Sequence, residues 1–285
     1  MRRRFLTPMT IAALLVAACA MAPAATHAPT GGSTMPSVML VAHRGGAALA
    51  PENTLAAFER GIAEKADAVE MDVHLSKDGE VVVIHDPELS RTTDGSGNVA
   101  DLTLAEIRRY NAAAKFRGWA GPPQRVPTFE EVVDLVNGRV ALQVEIKVKP
   151  DGARYPGIEQ KVVDILRKAN MIEKTVIISF DWPTLKDIKA IEPRLKTGAL
   201  ATHNYFAAVN DVATIAQQVK AVGADYMGPE KTYLTAGLLA ALRAQGIGAG
   251  AWTVDDEGDM RRLAALHPDF LTTNRPDLLR QVLGR

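Results

Sequence analysis

The chain has 285 residues, 47% of them apolar and 23% charged, with 33 basic side chains matched by 33 acidic ones. That is enough apolar material for one large core, and too even a charge balance to suggest a nucleic-acid partner. A single cysteine excludes an internal disulfide, and after the N-terminal segment no apolar run reaches the roughly 18 residues of a membrane span.

Arg2, Arg3 and Arg4, followed by the apolar stretch Met9 to Ala18, read as an export signal over residues 1–19. Val16-Ala17-Ala18-Cys19 resembles the lipobox of bacterial lipoproteins, which makes Cys19 the expected lipidated terminus; simple cleavage near Ala22 or Ala28 is the alternative. Arg2 to Leu6 also resembles a twin-arginine signal. Loss of the signal leaves 30 basic against 33 acidic side chains, a net charge of −3. Residues 20–37, rich in Pro, Gly and Thr, read as a flexible tether. The remaining stretch, 38–285, has the length of one α/β barrel.

Val38 to Ala42 is a short continuous apolar run, the pattern of a parallel strand buried on both faces. It ends in His43-Arg44-Gly45. Pro51-Glu52-Asn53-Thr54 then opens a helix whose buried face is marked by Leu55, Phe58 and Ile62, and Glu52 and Asn53 are read chiefly as helix-start residues. Residues 67–73 form the second strand, and Lys77-Asp78-Gly79 turns the chain into a return strand over 78–86. Further strands are expected at 140–146, 175–180, 197–201, 224–228, 247–253 and 269–273. Amphipathic helices alternate with them at 132–136, 158–169, 185–191, 212–222, 236–245 and 259–266. Eight parallel strands in such alternation favour a (β/α)8 TIM barrel over a doubly wound sheet. The one long interruption, residues 86–127 around a single helix at Leu104 to Tyr110, reads as a small insertion that covers the active site or selects substrate.

Glu70 and Asp72 are two apart on a strand and therefore share a face. Folding the hairpin about residue 78 sets His85 opposite roughly residue 71, which brings an imidazole beside two carboxylates. Reacting groups of a barrel gather where strands end, and those ends carry His43 and Arg44, Glu70 and Asp72, then Glu145 and Lys147. Glu70, Asp72 and Glu145 offer only oxygen, which suits one hard divalent ion, Ca2+ or Mg2+, better than Zn2+. Arg44 and Lys147 add positive charge, so the mouth suits a phosphate ester; His43 and His85 can then serve as acid and base, in either order. His74 shares the face of Glu70 and Asp72 but is read as a solvent-facing strand histidine rather than a ligand. Asp181, Trp119 and Tyr155 are candidate rim contacts, while His27, His203 and His267 have no evident partner.

Eight short motifs stand in the order and context of the glycerophosphodiester phosphodiesterase family: His43-Arg44-Gly45, Pro51-Glu52-Asn53-Thr54, Glu70-x-Asp72-Val73, Lys77-Asp78-Gly79, His85-Asp86, Glu145-x-Lys147, Ser179-Phe180 and Trp252-Thr253-Val254. From about residue 38 to residue 278 the chain resembles that family. The resemblance implies a (β/α)8 barrel with its insertion after His-Asp, His43 and His85 as the acid/base pair, and Glu70, Asp72 and Glu145 as ligands of one divalent ion. It also implies Arg44 and Lys147 on phosphate, with Phe180 and Trp252 bordering the glycerol and leaving-group pocket. The implied reaction is metal-dependent hydrolysis of a small-molecule glycerophosphodiester to glycerol 3-phosphate and an alcohol. In it the neighbouring 2-hydroxyl attacks phosphorus, and water then opens the cyclic phosphate. Two places depart from the family pattern: Asp255 stands where Asn is frequent after Trp-Thr-Val, and Thr273-Asn274-Arg275-Pro276 replaces Thr-Asp-x-Pro. Two alternatives stand beside this reading, a phospholipase D-like lipid phosphodiesterase and a non-catalytic surface-binding lipoprotein on the same barrel. The paired histidines favour an enzyme. Contact with a membrane is expected only through the N-terminal anchor.

Overall fold

The structure, a computed structural model, describes Met1 and residues 38–285, so the expected export signal, the lipobox at Cys19 and the tether lie outside the described residues. Nine strands are described: β1 (Met39–Ala42), β2 (Ala68–Leu75), β3 (Val81–Val83), β4 (Ala141–Ile146), β5 (Thr175–Ser179), β6 (Lys196–Ala201), β7 (Tyr226–Pro229), β8 (Gly248–Ala251) and β9 (Phe270–Thr273). The helices are α1 (Leu55–Ala63), α2 (Leu104–Ile107), α3 (Phe129–Val136), α4 (Ile158–Lys168), α5 (Trp182–Ile191), α6 (His203–Ala208), α7 (Val212–Val222), α8 (Ala236–Ala244), α9 (Glu257–Ala264) and α10 (Pro276–Val282).

In the sheet the strands run β1-β9-β8-β7-β6-β5-β4-β2-β3, and a parallel pairing of β1 with β2 closes the ring. Eight parallel strands therefore make the (β/α)8 barrel that the alternation predicts. β2 is the longest strand. Its start pairs with β1 through Ala68 and Val69, and its far end pairs antiparallel with β3 through Val73, His74 and Leu75. The hairpin thus stands above the rim and carries its residues over the mouth.

Strand periodicity divides the barrel chemically. Val69, Met71 and Val73 of β2 and Leu142, Val144 and Ile146 of β4 pack outward into the main core against the helices. Their alternates face inward. Val41, Ala68 and Phe270, backed by Ala141 and Tyr226, form an apolar cluster inside the barrel, leaving the polar layer nearer the C-terminal strand ends. Phe270 has room because β8 carries glycine beside it: a Cβ on Gly250 would come within 2.3 Å of both its ring and its carbonyl.

The return strand is shorter than the expected 78–86. Residues 76–80 are taken up by the turn, with Ser76 N–H on the Glu80 carbonyl and Gly79 in the left-handed region, so pairing begins only at Val81. The register is the expected one, Val73 opposite Val83. The helix expected at Leu104 to Tyr110 covers only Leu104–Ile107. The long connection after β3 builds a small core of its own, in which Leu89, Val99, Ile107, Ala112 and Val126 pack on Val82 and Ile84.

A tight turn of 3-10 type, His43–Gly45, follows β1 directly. Gly45 has a φ of +83°, and a Cβ there would lie 2.5 Å from the Ala57 carbonyl carbon in α1. Only glycine lets the turn press backbone to backbone on that helix, and this contact sets where His43 and Arg44 emerge. Gly45→Ala is expected to cost about 1–3 kcal/mol more than Gly152→Ala. Gly152 shares the positive φ but has open space around it, so equal losses in urea unfolding would show that the close approach is irrelevant.

Candidate active site

β2 and β4 lie side by side with Asp72 opposite Glu145 and Glu70 opposite Gln143. In-register parallel strands thus set two carboxylates next to each other, and the period of two adds Glu70 on the same face. Ligand oxygens of Glu70, Asp72 and Glu145 all lie within 4.8 Å of one another, and all three residues are buried. Burial, then repulsion by Asp72 and Glu145, pushes the Glu70 carboxyl well above its ordinary range. Glu145 is pushed up to about 7 by burial, which the adjacent Lys147 only partly offsets. Asp72 goes the other way: burial opposes its charge, but Lys147 and Arg44, with His85 and His43, hold it well below the usual carboxylate range.

The cations come from strand ends. Lys147, just past β4, has Nζ 2.6 Å from Glu145 Oε1 and 2.9 Å from Asp72 Oδ1. Lys147 is thus shared between two carboxylates, and it is the cation paired with Asp72 Oδ1. Arg44 has its Nε 3.4 Å from Asp72 Oδ2, and its backbone N–H donates to Glu70 Oε2 at 2.9 Å. That amide reaches inward because Arg44 adopts a φ of +51°, a conformation uncommon for a residue with a Cβ and one typical of functional turns. All-oxygen donors drawn together within 4.8 Å, and three acids against two bases, fit one hard divalent cation held by Glu70, Asp72 and Glu145.

His43 and His85 open onto one pocket with Arg44, Glu70, Glu145, Lys147, Phe180 and Trp252. The Nε2 atom of His43 lies 3.9 Å from Glu70 Oε2, and its Nδ1 meets Asn274 Oδ1 at 2.7 Å. Burial, helped by the Arg44 charge, lowers the His43 pKa to about 4. His85 Nδ1 meets Asp86 Oδ1 at 2.5 Å, and burial lowers its pKa as well. Phe180, at the end of β5, meets Trp252 edge to face with ring centres 5.4 Å apart, and the indole N–H donates to the Gly228 carbonyl. The expected acid/base, phosphate, metal and pocket residues, His43, His85, Arg44, Lys147, Glu70, Asp72, Glu145, Phe180 and Trp252, are therefore brought together at one mouth.

Residues 43–278 match the glycerophosphoryl diester phosphodiesterase family. The chain belongs to that family. A glycerophosphodiester phosphodiesterase of Caldanaerobacter subterraneus is 36% identical over 85% of this chain and 96% of its own length. Another, from Bacillus subtilis, is 35% identical over 86% of each. Among solved structures, a putative glycerophosphoryl diester phosphodiesterase from Silicibacter pomeroyi superposes with a TM-score of 0.79 at 27% identity, covering 87% of this chain and 93% of its own.

Several residues of this family member do more than their sequence signals suggest. Asn53 is not simply a helix-start residue: at a φ of +57° its amide turns inward, donating to Asp72 Oδ2 at 2.8 Å, while Thr54 caps α1. Glu52 accepts from Arg44 at 2.9 Å and from both ends of the Arg91 guanidinium, and Arg91 also holds Asp86. An arginine of the insertion thus ties the partner of His85 to the partner of Arg44. Asp255 and Asn274, the two departures from the family pattern, are hydrogen-bonded to each other and keep one carboxylate and one amide in exchanged order. His203, which had no evident partner, hydrogen-bonds the Tyr233 hydroxyl. Asp181 caps α5 and Trp119 donates to the Pro122 carbonyl.

The reading of His74 as solvent-facing is corrected. It is 1% exposed, its Nδ1 paired with the Tyr155 hydroxyl at 2.9 Å and its Nε2 with the His85 carbonyl at 3.0 Å. Tyr155 is likewise buried rather than a rim contact. The overhang of β2 explains both, because β3 and the segment before α4 cover its tip.

Burial lowers the His74 pKa to about 4. A lowered histidine stabilises the fold above the ordinary value near 6.5, and that stability is lost as pH falls from there toward 4, since only the unfolded chain takes the proton. The shift corresponds to about 3 kcal/mol. Urea unfolding of chelator-treated protein at pH 7 and pH 4 is expected to show His74→Gln losing less stability on acidification than the unmodified chain, by up to that amount. An identical acid loss in both would rule out His74 as a source.

Proposed function

We propose that the chain hydrolyses glycerophosphodiesters to glycerol 3-phosphate and an alcohol, with one Ca2+ or Mg2+ held by Glu70, Asp72 and Glu145 and protons moved by His43 and His85. The observation that carries this reading is that both imidazoles open onto one pocket lined by the acidic cluster. Charge supports it. Three carboxylates against Arg44 and Lys147 leave one negative charge over; a divalent ion turns that into one positive charge, which a singly charged phosphodiester neutralises.

When bound, the ion would supply Lewis-acid polarisation of a phosphoryl oxygen and acidify a substrate hydroxyl. Arg44 and Lys147 flank the same space and offer N–H donors to nonbridging oxygens. His43, neutral at pH 7, is suited to take the proton from the attacking 2-hydroxyl. His85, whose Nδ1–H is held by the Asp86 carboxylate, would act as the imidazolium and give the leaving oxygen the proton on its other nitrogen. For the cyclic phosphate the two exchange roles, His85 activating water. Phe180 and Trp252 give the pocket an apolar wall against the leaving alcohol.

Hydrolysis of glycerophosphocholine is expected only with the divalent ion present, and His43→Ala and His85→Ala should each lower kcat about 10²-fold or more. Ion-independent turnover, or a histidine variant with full activity, would overturn the reading. The basic then apolar start of the chain and the lipobox-like Val16 to Cys19 further support export and lipid anchoring of the enzyme. Cys19→Ala is then expected to move the protein from the membrane fraction to the soluble one; unchanged membrane association would contradict anchoring at that residue.

A further inference from the structure

Asp255 and Asn274 belong neither to the carboxylate cluster nor to the cationic pair, yet they are organised as tightly as either. They follow β8 and β9, and β9 lies between β8 and β1 in the sheet, so three successive strand ends present Asp255, Asn274 and His43 in line. The Asp255 carboxylate accepts three hydrogen bonds: from the backbone N–H of Asn274 at 2.8 Å, the Thr273 hydroxyl at 3.1 Å and Asn274 Nδ2 at 2.7 Å. On the far side of the amide, Asn274 Oδ1 lies 2.7 Å from His43 Nδ1.

This chain of contacts has a direction. An amide has a donor end and an acceptor end of nearly equal size, and its partners decide which way it faces. A carboxylate has no hydrogen to give, so only the NH2 end of Asn274 can face Asp255. The carbonyl end is thereby turned to His43, and a carbonyl can only accept. We propose that Asp255 and Asn274 are positioning residues that lock His43 in the tautomer carrying its hydrogen on Nδ1, so that the Nε2 lone pair faces the reacting atoms. Nε2 is the ring atom directed at the acidic cluster, 3.9 Å from Glu70 Oε2. The inference deepens the proposed function and rests on it for its kinetic consequence, although the tautomer itself does not.

Asp255→Asn keeps the volume but installs a group that donates as well as accepts. Asn274 then loses its reason to face one way, and His43 samples both tautomers. The expected result is a fall in kcat on glycerophosphocholine of about 10- to 100-fold, with KM little changed. In 15N-resolved NMR at neutral pH without substrate, the His43 signature moves from hydrogen on Nδ1 to a mixture. Asn274→Asp sets a second carboxylate against Asp255 and should lose at least as much activity. The double exchange Asp255→Asn with Asn274→Asp restores one carboxylate and one amide, again with an acceptor on His43 Nδ1, and should regain both activity and the Nδ1–H signature. Full kcat with an unchanged signature in Asp255→Asn, or a double variant no better than the single ones, would overturn the proposal. Inactive unmodified protein that still shows the Nδ1–H signature would support the lock and count against the proposed reaction, so the two failures are distinguishable.

Discussion

Three buried carboxylates, each with an oxygen within 4.8 Å of the other two, form the constraint on which the site depends. Buried like charges repel strongly, and no protein keeps such a group ionised without cations close by. Arg44 and Lys147 meet part of that demand, and the geometry bringing them in is costly in its own way. A non-glycine residue holds a left-handed conformation, a glycine turn is pressed against α1, and a lysine is buried between two acids. The local strain is sustained because the surrounding barrel over-determines it.

The barrel can hold such a cluster because its strands serve two environments at once. Outward-facing Val, Leu, Ile and Met side chains from β2 and β4 lock these strands to the helices, so the inward-facing carboxylates cannot relax apart. Inside, the apolar cluster around Val41 and Phe270 fills the barrel on the N-terminal side of the acidic layer. Rigidity in one layer is what allows uncompensated charge in the next.

Much of this was legible from residue spacing. The period of two puts Glu70 and Asp72 on one face, and the Lys77-Asp78-Gly79 turn sets the register that carries His85 over them. What escaped were partners chosen by the folded chain across long separations. Asn53 looks like a helix-start residue because its reach to Asp72 depends on a left-handed backbone that no pattern in the sequence announces. His74 looks exposed because a strand histidine near a turn usually is, whereas Tyr155, 81 residues away, folds over it. Asp255 and Asn274 stood out as departures from a family pattern, but only adjacency of β8, β9 and β1 shows that they compensate each other. Arg91 carries no motif and earns its place through Glu52 and Asp86 alone.

Burial pushes the Glu145 carboxyl up to about 7 and the Glu70 carboxyl well above its ordinary range, so filling the cluster with a divalent ion is expected to release protons. Calorimetric titration of chelator-treated protein with Ca2+ or Mg2+ at pH 7, in two buffers of different ionisation enthalpy, measures both events together. One ion bound per chain with proton release, both abolished in Asp72→Asn, is the expected result. Binding that releases no protons, or that persists unchanged in Asp72→Asn, would contradict an ion held by these three carboxylates.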